Sequence, residues 1–277
     1  MTDALKKFLT SKEVLALVDE NKYLEVFERA IYGSIEDQAL SIHEGRAMVE
    51  FFENKLGINP LEYMNRIPQG YFYDVNLTTV NIPEGVKTFD DYAFDRANIA
   101  SLRLPSTLKG FSEDAFSDSN IAVICLPYST DDYINLVDID AYAGAYNGAF
   151  KLADSTGKYI EHLTIPASAN AIKYSSHFQD CTSIKKITFE EGVDNIPPHA
   201  LSGCHYLTTV EIPRSMQVIG NNAFDYCINV EKIIYNGTYE NFADIQFGKD
   251  WLSNGDDSEH YFELVCTDGT YTEEAHR

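Results

Sequence analysis

Residues 207–224 read LTTVEIPRSMQVIGNNAF. No single periodicity runs through the stretch, neither the helical 3.6 nor the alternation of a strand. Leu207, Val210 and Ile212 instead fit the inward side of one short strand. Pro213 stops that strand, because proline has no N–H to give to a ladder. Val218 and Ile219 turn the chain back over a core. Ala223-Phe224 then closes the phrase, the small residue allowing close approach and the ring filling volume.

The phrase recurs. Residues 77–94 read LTTVNIPEGVKTFDDYAF, residues 99–116 IASLRLPSTLKGFSEDAF, and residues 184–201 IKKITFEEGVDNIPPHAL. Counted from the first apolar residue, repeats begin at Leu77, Ile99, Ile121, Ile160, Ile184, Leu207 and Val230, with spacings of 22, 22, 39, 24, 23 and 23. A half-repeat precedes them at Ile67–Phe72, with Tyr71-Phe72 in the Ala-Phe place. One repeat cannot bury its own apolar residues, whereas stacked repeats share a continuous core, so the pattern predicts a solenoid.

These residues resemble the BspA-like class of leucine-rich repeat proteins, whose repeat runs roughly as I-P-x-x-V-x-x-I-x-x-x-A-F-x-x-C-x-x-L. The likeness covers about residues 67–240. IIYNGTYENFADI (Ile233–Ile245) and FELVCTDGT (Phe262–Thr270) are similar to that family's closing cap, with Phe242 where tryptophan is common. The resemblance implies an α+β fold: a solenoid of about seven coils of 22–24 residues over 66–240, closed by a C-terminal cap over 241–277. Such a cap covers the last open strand edge. It further implies a role in binding proteins or surfaces, and many members of the family are exported.

Residues 1–65 do not repeat. Thr10 and Glu13 form a capping box ahead of VLALV, and Leu24, Phe27 and Ile31 share a helix face that ends at Gly33. A second helix start lies at Ser34, leading to FFENKLG (Phe51–Gly57). A third lies at Asn59-Pro60-Leu61-Glu62, with proline in the first helical position. The expectation is a helical domain of three or four helices packed on the first coil, serving either as a cap or as a docking module.

Charge narrows the partners. Among 277 residues, 43 acids stand against 21 bases, a net of −22. Residues 1–70 carry −4 of it and residues 71–277 carry −18. Direct binding to a phosphate backbone is therefore disfavoured, while a basic partner or plain solubility fits. No apolar run reaches the roughly 18 residues of a membrane span. The first twenty residues, MTDALKKFLTSKEVLALVDE, place charges inside what would be the apolar part of a secretion signal, so a cytoplasmic location is expected.

Catalytic and metal chemistry find no constellation. Cys181, Cys204 and Cys227 lie 23 apart, one per repeat, which suits packing better than ligation. C-x-x-C, HExxH, GxSxG and glycine-rich phosphate loops are absent. Cys204-His205 are neighbours in sequence, which does not make them nucleophile and base. Asp138 and Asp140, like Asp256 and Asp257, complete no calcium loop. Neither a catalytic residue, a cofactor nor a metal is expected.

Recognition remains. The spacing of 39 marks an insertion of about 16 residues within 128–159, between Pro127 and Ala149-Phe150, the latter pair read as the third repeat's Ala-Phe; a few more extra residues fall in KLADSTGKY (Lys151–Tyr159). It holds Tyr128, Tyr133, Tyr142, Tyr146 and Tyr159 with Asp131, Asp132, Asp138, Asp140 and Asp154, and insertions in solenoids map to surface loops. The outward strand slots are Thr79/Asn81, Ser101/Arg103, Val123/Cys125, His162/Thr164, Lys186/Thr188, Thr209/Glu211 and Lys232/Ile234. The expected function is a non-enzymatic protein-recognition module. Its candidate contacts are Tyr128, Tyr133, Tyr142, Tyr146, Asp131, Asp132, Arg103, His162, Lys186 and Glu211. The alternatives are an acidic mimic that blocks a basic DNA- or RNA-acting enzyme, and a surface adhesin exported by a non-standard route.

Overall fold

In order along the chain, the helices are α1 (Asp3–Leu9), α2 (Lys12–Asp19), α3 (Tyr23–Ile31) and α4 (Ile42–Phe51). A π-helical turn (Phe52–Leu56) and a 3-10 turn (Pro60–Tyr63) follow. The computed structural model describes residues 3–31, 42–112, 114–127, 149–167, 178–253 and 261–274. These fall into two compact units that part after Ile121.

In the N-terminal unit, Ser11 rather than Thr10 caps α2, its side chain accepting from the Val14 N–H at 3.3 Å. Thr10 instead donates its hydroxyl to the Lys6 carbonyl at 2.8 Å, closing α1. The expected third helix is one 3-10 turn: Asn59 accepts from the Leu61 N–H, and Met64 is already extended. The helical core joins the half-repeat through rings, since Phe27 stacks on Tyr71 at 5.5 Å and meets Phe52 at 6.2 Å. Gly33 and Ser34 lie outside the described residues.

Among the described residues the coils contribute two separate rows of parallel strands. In the N-terminal unit the shorter strands β1 (Arg66–Ile67), β3 (Thr88–Phe89) and β5 (Gly110–Phe111) pair in parallel. The six-residue β2 (Asn76–Asn81) and β4 (Asn98–Arg103) do likewise, and the two-residue β6 (Asn120–Ile121) extends their row. Asn76, Asn98 and Asn120 recur every 22 residues and form a side-chain ladder, each amide donating to the one before at 3.3 Å. Behind them the phenylalanines of the Ala-Phe pairs stack: Phe72 on Phe94 at 4.7 Å, Phe94 on Phe116 at 4.8 Å. Offset ring stacks of this kind add to the area they bury.

The C-terminal unit opens with β7 (Val123–Cys125) paired in parallel with β8 (Lys151–Ala153). Five parallel strands then run β9 (His162–Ile165), β10 (Lys186–Phe189), β12 (Thr209–Ile212), β14 (Lys232–Tyr235) and β16 (Tyr261–Cys266). The shorter strands β11 (Asn195–Ile196), β13 (Val218–Ile219) and β15 (Gln246–Phe247) form their own parallel row. In β12, Val210 and Ile212 are buried while Thr209 and Glu211 are half-buried, and β10 and β14 repeat that alternation. Ile187, Val210 and Ile233 stand in register, so each inward slot becomes an apolar row. Closure comes from α5 (Tyr239–Ala243), capped by Thr238, and from β17 (Gly269–Glu274), which returns antiparallel to β16. Phe242 packs on Tyr235 and Phe247, and Trp251 on Phe224, Phe247 and Phe262.

In three coils two residues take the left-handed conformation around the Ala-Phe place: Tyr92 and Arg96, His199 and Gly203, Asn222 and Tyr226. That region costs an L-residue roughly 1–2 kcal/mol. Bonds between coils hold it: the Tyr92 N–H to Asp114, Arg96 to Ser117, Asn222 to Lys249, and Tyr226 to Ser253, at 2.7–3.0 Å.

The insertion corrects the expected register. Phe150 does not occupy an Ala-Phe place; it bridges Cys181 in parallel and accepts from the Thr182 N–H, which puts it in the cysteine slot. Ala149 is exposed. Lys151–Ala153 is strand β8 rather than loop, because the segment resumes the ladder on β7 directly after the insertion. Cys125, expected to point outward, is buried opposite Ala153, which is itself fully buried.

Candidate functional site

The outward side chains of β9, β10 and β12 meet in a hydrogen-bonded chain. A deprotonated Glu211 can only accept, so the Thr188 hydroxyl donates to its Oε2 at 3.2 Å. Thr188 Oγ1 then accepts from His162 Nε2–H at 2.9 Å. This fixes the His162 tautomer and leaves Nδ1 as an acceptor. Lys186 completes the network with its Nζ 2.9 Å from the same Glu211 oxygen. Partial burial, and then the neighbouring Lys186 charge, hold the His162 pKa below its ordinary value, which keeps the ring neutral at pH 7. The Glu211 carboxyl is held below the usual carboxylate range, chiefly by its bond to Lys186. On the next two strands Lys232 and Glu263 pair at 2.7 Å.

Three of the candidates read from the sequence, His162, Lys186 and Glu211, are thus brought together on one face. Arg103 stands half-buried on β4 of the other unit. Tyr128, Tyr133, Tyr142, Tyr146, Asp131 and Asp132 lie outside the described residues. Of the insertion's other tyrosines and aspartates, none of them a candidate contact, Tyr159 is exposed with Lys151 Nζ 4.7 Å from its ring centroid. Asp154 is buried and organises a turn, accepting from the Thr156 N–H and hydroxyl and from the Lys158 N–H. Sequence reasoning placed Thr188 in an outward slot without singling it out as a contact. Its signal was position, an outward slot between a histidine and a glutamate in neighbouring repeats.

The three regularly spaced cysteines are buried. Cys204 and Cys227 each donate a thiol hydrogen bond at 3.1 Å, to the carbonyls of Phe178 and Leu201 in the preceding coil. Burial pushes the Cys181 thiol up to about 11 and raises Cys204 well above its ordinary value, so both stay protonated at neutral pH. Protonated, inaccessible thiols pack and donate; they do not attack.

The profile of the BspA type leucine rich repeat region matches six copies in this chain, over residues 58–136 and 153–254. The chain belongs to the BspA type leucine rich repeat family. Its BspA type coils are similar to those of solved bacterial repeat proteins. One is a leucine rich cell surface protein of Faecalibacterium prausnitzii, 18% identical over 71% of this chain and 56% of that one, with a TM-score of 0.37. Another, from Bacteroides ovatus, is 15% identical over 64% of this chain and 53% of that one, with a TM-score of 0.37. A leucine-rich repeat protein of Eubacterium ventriosum is 12% identical over 81% and 90%, with a TM-score of 0.28. The chain spans a little over half the length of the first two. No curated protein matches it.

Proposed function

We propose that this BspA type repeat protein is a non-enzymatic recognition module that holds a partner protein against the strand face of its C-terminal unit. The observation that carries the reading is the ordered polar network His162–Thr188–Glu211–Lys186, set on strands whose inward slots stay uniformly apolar. Thr188, Glu211 and Lys186 are half-buried and His162 is exposed, and groups already oriented by one another lose little freedom on binding, which is what a recognition surface needs. The Tyr/Asp-rich insertion, with Tyr128, Tyr133, Tyr142, Tyr146, Asp131 and Asp132, is proposed as a second contact region, and Arg103 as a contact of the N-terminal unit. The test is affinity capture from the native host with the wild type and a Lys186→Glu/Glu211→Lys variant, which keeps the pair while reversing its pattern. Loss of a specific partner is expected; an unchanged set of captured proteins would refute the strand face. Deleting residues 128–148 tests the insertion in the same assay.

A second reading draws on charge. Residues 71–277 carry a net −18, and Lys185, Lys186, Lys232 and Lys249 are each within 4 Å of a carboxylate. An acidic surface of this kind suits a mimic that occupies the nucleic-acid groove of a basic enzyme. Under that reading the captured partner is strongly basic and is released steeply by salt; a neutral, salt-insensitive partner would exclude it.

A further inference from the structure

β12, β14 and β16 are adjacent and parallel, so their N-terminal ends lie along one edge of the C-terminal unit. That edge is lined with exposed rings. Tyr206 stands three residues before β12, Tyr226 and Ile228 precede β14, and Tyr261 opens β16. Their exposures are 58%, 47%, 48% and 54%, and they make up four of the nine large apolar or aromatic side chains exposed among the described residues. Single exposed apolar residues are ordinary, but four on three consecutive coils form a patch. The backbone beneath is fixed: His205 Nδ1–H donates to the Tyr226 carbonyl at 2.9 Å, and Asn229 Nδ2 donates to the His205 carbonyl at 2.6 Å.

The charges on this edge select the occupant. Glu231 is exposed just before β14, and Asp225 adjoins Tyr226. Of the cations nearby, Lys185, just before the neighbouring strand β10, is taken by Glu161 at 2.8 Å, and Lys232, which opens β14, by Glu263 at 2.7 Å. Rings flanked by carboxylates favour a cation, through the negative face of each ring and the field around it. The same unit already shows the geometry in Lys151 over Tyr159.

We propose that this tyrosine edge docks a basic segment of a protein partner. Arginine or lysine side chains lie over Tyr206, Tyr226 and Tyr261, and Ile228 receives an apolar residue between them. The inference rests on the recognition reading and adds to it a second surface with its own chemistry. A neutral sugar could stack on the rings and hydrogen-bond the carboxylates, but it would gain nothing from their charge.

The probe is a fluorescein-labelled peptide of alternating arginine and alanine, titrated by anisotropy against the full chain, with maltoheptaose as the neutral competitor. A Tyr206→Ser/Tyr226→Asn/Tyr261→Ser variant should bind the peptide about ten- to a hundredfold more weakly, since each cation lost from a ring weakens binding about two- to fivefold. Asparagine at 226 tolerates the left-handed backbone there. If the triple variant melts early, Tyr206→Ser/Tyr261→Ser replaces it, with a smaller loss expected. Tyr63→Ser and Tyr159→Ser, exposed rings elsewhere, should stay within twofold of wild type. Equal binding by the ring variants overturns the proposal, because attraction by net charge alone would then suffice. Displacement of the peptide by maltoheptaose overturns it in favour of a sugar site. Capture of the native partner separates the two claims: a loss in the Lys186→Glu/Glu211→Lys variant but not in the ring variants leaves the strand face standing and removes the edge.

Discussion

Cys204 is a buried side chain that packs as an apolar group and still donates a hydrogen bond to the coil before it. Its neighbour Cys181 turns this into a pH dependence. The folded thiol has a pKa of about 11 against an ordinary 9.0. Stability from the neutral buried thiol is therefore complete below pH 9 and is lost as the pH rises toward about 11. The loss runs at up to roughly 1.4 kcal/mol per pH unit. Denaturant midpoints measured between about pH 8 and about pH 10 should fall more steeply for the wild type than for Cys181→Ala. Thiol reagents should label Cys181, Cys204 and Cys227 only on unfolding, in step with the loss of far-UV dichroism. Arg96 gives the opposite case, an exposed side chain on a left-handed backbone. Arg96→Gly should stabilise the protein by about 0.5–1 kcal/mol, read as a rise in Tm, because glycine removes the Cβ clash. The cysteine spacing was legible in the sequence. The thiol donors and the left-handed residues were not, because both arise only where one coil lies against the next.

Among the elements, the short strands depend on how closely backbones approach. A Cβ placed on Gly220, just after β13, would lie 2.5 Å from Pro198 N and 2.8 Å from Pro197 C. Those are backbone-bound atoms that cannot swing away. Gly220→Ala should cost about 2 kcal/mol, seen as a lower denaturation midpoint with an unchanged slope. In the cap, Trp251 is buried against Phe224, Phe247 and Phe262. Removing that ring in Trp251→Ala should cost roughly 3–5 kcal/mol by circular-dichroism melts. As the single tryptophan of the chain, it also reports unfolding of this end by a red shift in emission. Strand β8 shows where element-level reading failed. KLADSTGKY (Lys151–Tyr159) looks like loop because its apolar content is low, and only pairing with β7 makes Lys151–Ala153 a strand.

For the whole molecule the governing quantity is the net charge of −22. Self-repulsion of that size is screened by salt, so added salt should raise Tm moderately until the effect saturates near the ionic strength where the Debye length is a few ångströms. Binding should respond with the opposite sign if the partner is basic, weakening as salt rises. The two trends, recorded on one preparation, separate a charge that shapes recognition from one that only keeps the protein soluble. The candidate site was legible only in fragments. His162, Lys186 and Glu211 lie 24 and 25 residues apart in sequence and were singled out by their outward slots. That they form one network through Thr188 depends on the stagger of three strands.

The repeat itself came from the sequence alone. Spacings of 22–24 residues, a proline after the strand and an Ala-Phe pair specify a coil that must stack, because no coil can bury its apolar side unaided. Which outward residues touch, which left-handed positions are tolerated, and where the chain resumes its ladder after the insertion were decided by tertiary structure. Each depends on distances between coils, and a sequence period fixes the slots without fixing the angstrom-scale geometry of what fills them.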